Sequence, residues 1–144
     1  MLAIFATSVA AGCGGSKSEA KVPPIESAHA FADDFMHRLV VGGRWDAIAA
    51  DVAPSATRET RNFQESIRRD GIRKVRGTGV LRHDCPPSPS VGAGHDCFVY
   101  QLAGRQLVPP GGVVLLRARY RLWLGYEDGN WHVITYDYDL KPSP

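Results

Sequence analysis

The sequence predicts an α+β domain in which N-terminal helices pack on a curved antiparallel sheet of about four strands. Two observations indicate this fold class. Apolar residues recur at spacings of three and four up to about residue 70, and from Gly71 onward they alternate with polar residues. The first period is typical of helices with one buried face, and the second is typical of strands with one buried face. Helices followed by a run of strands indicate an α+β arrangement.

Length and composition fit one globular domain. The chain has 144 residues, of which 44% are hydrophobic and 22% are charged. A net charge of +2 is too small to indicate a nucleic-acid partner, so none is expected. The sequence holds no apolar run of about 20 residues that could span a membrane as a helix. It also lacks a P-loop and a Gly-x-Gly-x-x-Gly motif, and no cofactor is predicted.

A short apolar segment, MLAIFATSVAAG, occupies residues 1–12 and ends in small residues before Cys13. This pattern is typical of a secretory signal and its cleavage site. Residues 9–13, VAAGC, resemble the lipobox of bacterial lipoproteins. The resemblance implies that residues 1–12 are removed and that Cys13 carries lipid, which anchors the chain on the extracytoplasmic face of the cell membrane. The alternative is a buried N-terminal strand with a free thiol.

A flexible tether is predicted over residues 13–26, because small and polar residues dominate it. Ser27 is expected to cap the first helix. Helices are predicted over residues 28–41, 44–52 and 57–70. Gly42-Gly43 and Pro54 separate them.

Strands are predicted over residues 72–84, 97–106, 113–126 and 131–140. Gly77 and Gly79 indicate a bulge in the first strand. Pro109-Pro110-Gly111-Gly112 predicts a break after the second strand, and Asp128-Gly129-Asn130 predicts a hairpin turn. The domain proper is therefore expected to cover residues 27–140, with residues 141–144 as a tail.

The third predicted strand has two chemically different faces. Leu116, Ala118, Tyr120, Leu122 and Leu124 share one face, and Arg117, Arg119, Arg121 and Trp123 share the other. This alternation predicts one buried and one hydrated face. The arginine face, with Arg73, Arg76 and Arg82 on a neighbouring strand, is the candidate binding surface for an anionic ligand, an envelope component or a partner protein. The alternative is a solvated face whose arginines pair with acidic residues of adjacent strands.

Cys85 and Cys97 flank residues 86–96, whose Pro, Ser and Gly content predicts a loop. Outside the cytoplasm, two remaining cysteines indicate a disulfide, which would close the mouth of a long hairpin. The alternative is a zinc site, because His83 and His95 each precede one of these cysteines by two residues. We expect the disulfide and no metal ion.

Three segments resemble the nuclear-transport-factor-two-like superfamily, which has a cystatin-like cone. They are the apolar face of Phe31–Leu39, GGRWDAIAADVAP at residues 42–54, and GYEDGNWHVITYD at residues 125–137. The resemblance implies helices packed into the concave face of a cone-shaped sheet. It also implies that a homodimer through the sheet face is an alternative to a monomer.

That superfamily contains enzymes and non-enzymes, so the fold alone predicts no reaction. Asp34 and His37 on the first helix and Asp137 on the last strand are the candidate acid–base residues. The sequence favours a non-catalytic binding or accessory domain of unknown ligand. The alternative is a small isomerase, cyclase or dehydratase that uses such a residue in the cone pocket.

Overall fold

The computed structural model describes residues 23–85 and 96–142 and confirms the α+β class. Helix α1 spans Ile25–His37 and helix α2 spans Thr57–Arg69. The strands are β1 (Ile72–Arg82), β2 (Cys97–Val108), β3 (Gly112–Glu127) and β4 (Asn130–Pro142). No helix among the described residues is long and apolar enough to cross a membrane.

Some predictions lie outside the described residues. These are the signal segment 1–12, Cys13 and the tether up to residue 22, the loop over residues 86–95 with its His95, and residues 143–144 of the tail.

Helix α1 begins at Ile25, so the prediction that Ser27 caps it is wrong. Pro24 precedes the helix, and the Ser27 N–H donates to the Pro24 carbonyl at 3.0 Å. The Ser27 hydroxyl instead accepts a hydrogen bond from Trp131 Nε1 at 2.7 Å. Ser27 therefore ties the first turn of α1 to β4 rather than starting the helix.

At its C-terminal end α1 continues into a π-helical turn over Arg38–Gly42. A wider turn leaves carbonyls that need other donors. The buried Gln64 side chain of α2 supplies them, because its Nε2 donates to the Leu39 carbonyl at 3.3 Å and to the Gly43 carbonyl at 3.2 Å. This contact joins the end of the first helix to the middle of α2.

The predicted second helix is present only as short 3-10 turns, Trp45–Ala47 and Ala49–Asp51. Val52 makes a parallel bridge to Val133 of β4, and the Ala53 N–H donates to the Val133 carbonyl at 2.9 Å. Because Val52 and Ala53 pair with β4, their backbone groups do not take part in the hydrogen bonds of a regular helix. The segment therefore runs along β4 as an irregular connection.

The sheet has the strand order β1-β2-β3-β4, with each neighbouring pair antiparallel. Asp128 and Gly129 both have positive φ, 50° and 82°, which confirms a hairpin turn at the predicted place. The turn has two residues rather than three, because Asn130 already pairs with Glu127. A shift in register between Arg76 and Val80 confirms the predicted bulge in β1. The β2–β3 hairpin is longer than predicted, because Val108 pairs with Gly112 and only a three-residue turn separates the strands.

The helices pack on one face of the sheet, which we call the inner face. Four of the five β3 residues predicted to be buried are buried, namely Leu116, Ala118, Tyr120 and Leu122. The fifth, Leu124, is only partly buried. Phe63 of α2 packs against Tyr120, with 4.8 Å between ring centroids. The largest fully buried side chains are Tyr100, Tyr120, Phe35, Met36, Leu39, Ile48, Ile72, Leu102, Leu122, Val40, Val133 and Thr60.

Candidate functional site

The opposite side of the sheet, the outer face, carries the predicted arginine row. Strand register places its residues in two neighbouring rows that cross β1, β2 and β3. Lys74, Ala103 and Arg117 form one row, and Arg76, Gln101 and Arg119 form the next. Two strand spacings separate the β1 cations from the β3 cations, which is about 10 Å. The sequence predicts β1 as a direct neighbour of β3, and this is wrong because β2 lies between them. Pairing with β2 nevertheless places the β1 cations level with the β3 cations.

Lys74, Arg76, Arg117 and Arg119 constitute what we call the cation block. All four side chains are exposed, and none has a carboxylate partner among residues 23–85 and 96–139. Arg119 lies opposite Asp139 in the register, yet the Asp139 carboxylate pairs with Arg121. The block is therefore four positive charges with no described counter-charge.

A shallow concavity of about 450 Å³ lies on this face, partly overlapping the cation block. Arg76 and Arg119 lie at its edge with Gln101 between them, and Thr78 adds a hydroxyl. The remaining lining residues are Val80, Arg82, Asp84, Cys85, Val99 and Arg121. Guanidinium, amide and hydroxyl groups around one depression are the donors that bind phosphate or carboxylate oxygens.

The other arginines of the concavity are already neutralised. Arg121 is mostly buried and pairs with both Asp137 and Asp139, the latter at 3.1 Å. Arg82 binds both oxygens of Asp84 at 2.7 and 2.6 Å. The Arg82 guanidinium holds the pKa of the Asp84 carboxyl below its usual range. The predicted trio of Arg117, Arg119 and Arg121 thus divides into two unpaired cations and one structural ion pair.

Trp123 shares the outer face with these arginines, as predicted, but its side chain is only 2% exposed. It packs in a small cluster with Cys97, and Cys85, Val99 and Ile134 lie against the pair. Alternation along β3 places Trp123 on this face but does not reveal that another element covers it. A buried indole cannot offer a ligand its ring face, so we remove Trp123 from the candidate binding residues.

Cys85 and Cys97 form a disulfide, with their Cα atoms 6.3 Å apart, and this confirms the predicted pairing. His83 contacts Asp96 beside it, across the same loop. The zinc alternative needs both sulfurs as thiolates, whereas here they are bonded to each other. Within residues 23–85 and 96–142, no group of three or more His, Cys, Asp or Glu side chains is placed to hold a metal ion.

The three candidate acid–base residues lie at the surface. Asp34 pairs with Arg38 at 2.8 Å rather than with His37, and the His37 side chain is exposed. Asp137 is exposed on the outer face in its ion pair with Arg121. The structure therefore does not bring these three residues together, and none of them lies in an apolar pocket.

The inner face instead holds an acidic group that the sequence interpretation missed. Asp33 Oδ1 accepts hydrogen bonds from the Tyr100 hydroxyl at 2.8 Å and from the Gly79 N–H at 2.9 Å. His29, one turn earlier, stacks on Phe98 and places its Nε2 at 3.6 Å from Asp33 Oδ2. The i, i+4 spacing of His29 and Asp33 was the available signal in the sequence.

Burial raises the pKa of the Tyr100 phenol well above its usual range, and the hydrogen bond to the Asp33 carboxylate is a smaller cause of the same rise. Tyr100 therefore stays protonated and keeps donating to Asp33 at any physiological pH. Asp33 in turn is held by two donors from two strands. This geometry joins α1 to the sheet and commits Asp33 Oδ1 to two hydrogen bonds.

Comparison of the chain with protein-family models, with curated proteins and with solved structures finds no match. The functional interpretation therefore depends on the cation block, the concavity beside it and the disulfide.

Proposed function

We propose that the chain is a membrane-anchored extracytoplasmic lipoprotein whose domain, of nuclear-transport-factor-two-like type, is a non-catalytic binding module. The lipid is attached at Cys13 after removal of residues 1–12. The lipobox-like VAAGC segment supports this assignment. The Cys85–Cys97 disulfide supports it independently, because structural disulfides persist outside the reducing cytoplasm.

The ligand is an anionic component of the envelope, and it binds the outer face at the cation block. The observation that carries this proposal is the alignment of Lys74, Arg76, Arg117 and Arg119 in two register rows, without a described carboxylate partner. Like charges about 7–10 Å apart on a sheet repel one another, and a multivalent anion relieves that repulsion. Arginine also binds phosphate through two parallel hydrogen bonds, which gives orientation as well as affinity.

The inner face supports the choice of a binding module over an enzyme. Phe35 and Phe63 are buried, and Phe31, Trp45 and Trp131 pack against the same core. Buried aromatic side chains thus occupy the centre of the space between helices and sheet where a cone pocket would lie. Phe31 and Trp131 line a groove of about 560 Å³ at one end of it. Two acidic groups lie near that space and both have partners. Asp33 is bound by Tyr100 and Gly79, and Asp51 pairs with Arg38 at 2.6 Å.

Mass spectrometry of the mature protein from its native host tests the anchor. The expected result is an N-terminus at Cys13 with the mass of attached acyl chains. A chain that begins at Met1 without modification would contradict the lipoprotein assignment and leave the anion site to be judged separately.

Calorimetric titration with linear polyphosphate, a soluble multivalent phosphate, tests the anion site. The protein is the mature chain from residue 13, with Cys13→Ser so that no lipid is attached. We expect binding that weakens as salt rises, and a loss of about tenfold or more in the Arg76→Gln/Arg119→Gln double variant.

The matched control is Arg58→Gln/Arg61→Gln on α2, which removes the same charge from exposed side chains on another element. We expect this control to bind polyphosphate like the unsubstituted chain. Equal weakening in both double variants would mean that net charge alone is responsible, and no binding at low salt would remove the proposed site.

A further inference from the structure

The β2–β3 hairpin ends in exposed apolar side chains. Leu107 is 79% exposed, Val113 56% and Leu115 46%, and Val108 is also exposed. We call these four residues, with the turn over residues 109–111, the hairpin tip. Single exposed apolar residues are common on proteins, but a contiguous group at a protruding end indicates a contact surface.

Leu107, Val113 and Leu115 of the hairpin tip lie on the same face of the sheet as the cation block. Leu107 pairs with Val113, Arg105 pairs with Leu115, and the next outer pair is Ala103 with Arg117. Side chains two residues apart along a strand lie about 7 Å apart. The apolar end therefore gives way to positive charge within about 7–14 Å along β3, so the outer face presents an apolar contact and a cationic contact side by side.

The backbone of the tip also suits a poorly hydrated environment. Pro109 and Pro110 have no N–H, and the Gly111 N–H donates to the Val108 carbonyl at 3.1 Å. The ladder hydrogen bonds of β2 and β3 continue to the Val108–Gly112 pair. Few backbone donors of the turn itself would therefore lose water partners on transfer into lipid, where an unpaired donor is costly. Beyond Gly104 and Leu116 the hairpin has no described flanking strand, so its outward-facing N–H groups keep their partners best at headgroup depth.

Charge complementarity selects a membrane over a second copy of the chain. A symmetric dimer through this face brings each cation block towards the block of its partner, which is repulsive. An anionic phospholipid surface offers phosphate groups to the block and acyl chains to the tip at the same time. Each Lys or Arg close to such a membrane is attracted to it, so the four cations of the block act together.

We propose that the hairpin tip inserts into the interfacial region of an anionic phospholipid bilayer while the cation block binds the headgroups. This inference deepens the proposed function and depends on it, because it names the anionic ligand as a phospholipid surface. Pro23 lines a groove with Gly129 and Asn130 at the β3–β4 turn. A chain tethered there and inserted at the hairpin tip contacts the bilayer at opposite ends of β3 and lies with its outer face on the membrane.

Vesicle co-sedimentation tests this proposal, again with the unlipidated chain from residue 13 carrying Cys13→Ser. We expect binding to vesicles of phosphatidylglycerol and phosphatidylcholine in equal parts, and much weaker binding to phosphatidylcholine alone. The Leu107→Ser/Leu115→Ser variant should bind the anionic vesicles about tenfold or more weakly, because two leucine side chains no longer enter the lipid. The control Ile25→Ser/Val41→Ser removes two other exposed apolar side chains and should bind normally.

Insertion depth is measured with Leu107→Trp, whose fluorescence should be quenched by lipids brominated on their acyl chains. Val41→Trp serves as the control and should gain no quenching over the unsubstituted chain. The proposal is overturned if Leu107→Trp is not quenched, or if the serine tip variant binds as well as the unsubstituted chain. It is also overturned if Leu107→Ser/Leu115→Ser converts a dimer into a monomer, which would make the tip a subunit contact.

The two proposals can fail separately. Polyphosphate binding without vesicle binding retains the anion site and rejects the bilayer as its ligand. Vesicle binding that is lost in Arg76→Gln/Arg119→Gln but kept in the serine tip variant rejects insertion and retains the cation block. Absence of both polyphosphate and vesicle binding rejects both proposals.

Discussion

The Tyr100 hydroxyl donates to Asp33 at 2.8 Å and thereby joins helix α1 to the second strand of the sheet. The same carboxylate oxygen accepts the Gly79 N–H, which the bulge of β1 releases from the strand ladder. One half-buried acidic side chain thus organises the contact of three elements. Its neighbour Asp34 is exposed and pairs with Arg38.

Replacing Asp33 with Ala should lower the free energy of unfolding by about 2–3 kcal/mol, because hydrogen bonds to a charged acceptor are lost and the Tyr100 hydroxyl is left unpaired. Asp34→Ala is the matched control and should change stability by less than about 1 kcal/mol, as expected for an exposed ion pair. Urea unfolding followed by circular dichroism measures both. Similar losses in the two variants would contradict the role assigned to Asp33.

Gly79→Ala should also destabilise the domain. A Cβ atom at Gly79 would lie 2.4 Å from Tyr100 Cζ, so the ring and its hydrogen bond to Asp33 must move. Overpacking of this kind typically costs about 1–3 kcal/mol. Gly42→Ala, where the added Cβ meets nothing within 4 Å, should be tolerated. Thermal unfolding of the two variants would show the difference, and equal midpoints would argue against close packing at Gly79.

Tyr120 is fully buried, and its hydroxyl has no hydrogen-bond partner among the described residues. Tyr120→Phe should therefore leave stability at neutral pH unchanged or raise it by up to about 1 kcal/mol, since it removes an unpaired buried polar group. A loss of more than about 1 kcal/mol in urea unfolding would indicate that this hydroxyl has a stabilising partner.

The same residue predicts how stability depends on alkaline pH. Burial raises the pKa of Tyr120 well above its ordinary value, and burial also raises the pKa of Tyr136, to about 12. An unfolded tyrosine ionises near pH 10. Above that pH the unfolded chain releases protons that the folded chain retains, so stability is fully present below about pH 10 and falls as pH rises.

Each such buried tyrosine contributes a slope of at most about 1.4 kcal/mol per pH unit. Tyr120→Phe should make the alkaline decline shallower by up to this amount. Urea unfolding at a series of pH values above 10 measures the slope. An unchanged slope would mean that Tyr120 ionises equally in the folded and unfolded chains.

Removing the Cys85–Cys97 disulfide should lower the free energy of unfolding by about 3 kcal/mol. A disulfide that closes a ring of this size restricts the unfolded chain, and the lost conformational entropy stabilises the folded state by about that amount. The Cys85→Ala/Cys97→Ala variant and the reduced protein should show comparable losses in urea unfolding. A much smaller effect in both would indicate that packing around Trp123 holds the two strand ends together without the bond.

The sequence predicted those elements that depend on local pattern. Alternation identified all the strands of the sheet, helical spacing placed α2, and Asp128-Gly129 specified its turn because the pair adopts positive φ readily. The segment after Gly43 was predicted as a helix and became 3-10 turns. Val52 of this segment pairs with Val133, which is distant in the sequence, so the local pattern of residues cannot predict the pairing.

The site was predicted less well for the same physical reason. Strand alternation assigns a residue to a face, but it does not show what covers that face or which strand lies beside it. Alternation therefore predicts an exposed Trp123, although the cluster around the disulfide covers it. Asp33 was overlooked because its partners, Tyr100 and Gly79, belong to strands whose placement over α1 follows only from the folded chain.

Strand order in this sheet is identical to chain order, which has a consequence for how the protein folds. Each strand finds its partner in the immediately preceding segment, so the sheet can grow hairpin by hairpin. The β2–β3 and β3–β4 turns are short, and the loss of chain entropy grows only slowly for the longer loop over residues 83–96. The Asp33–Tyr100 bond is different, because it joins residues 67 positions apart. Docking of α1 onto the completed hairpins is then the event with the largest entropic barrier, and substitutions at Asp33 and Tyr100 should alter the folding rate differently from substitutions in the β3–β4 turn.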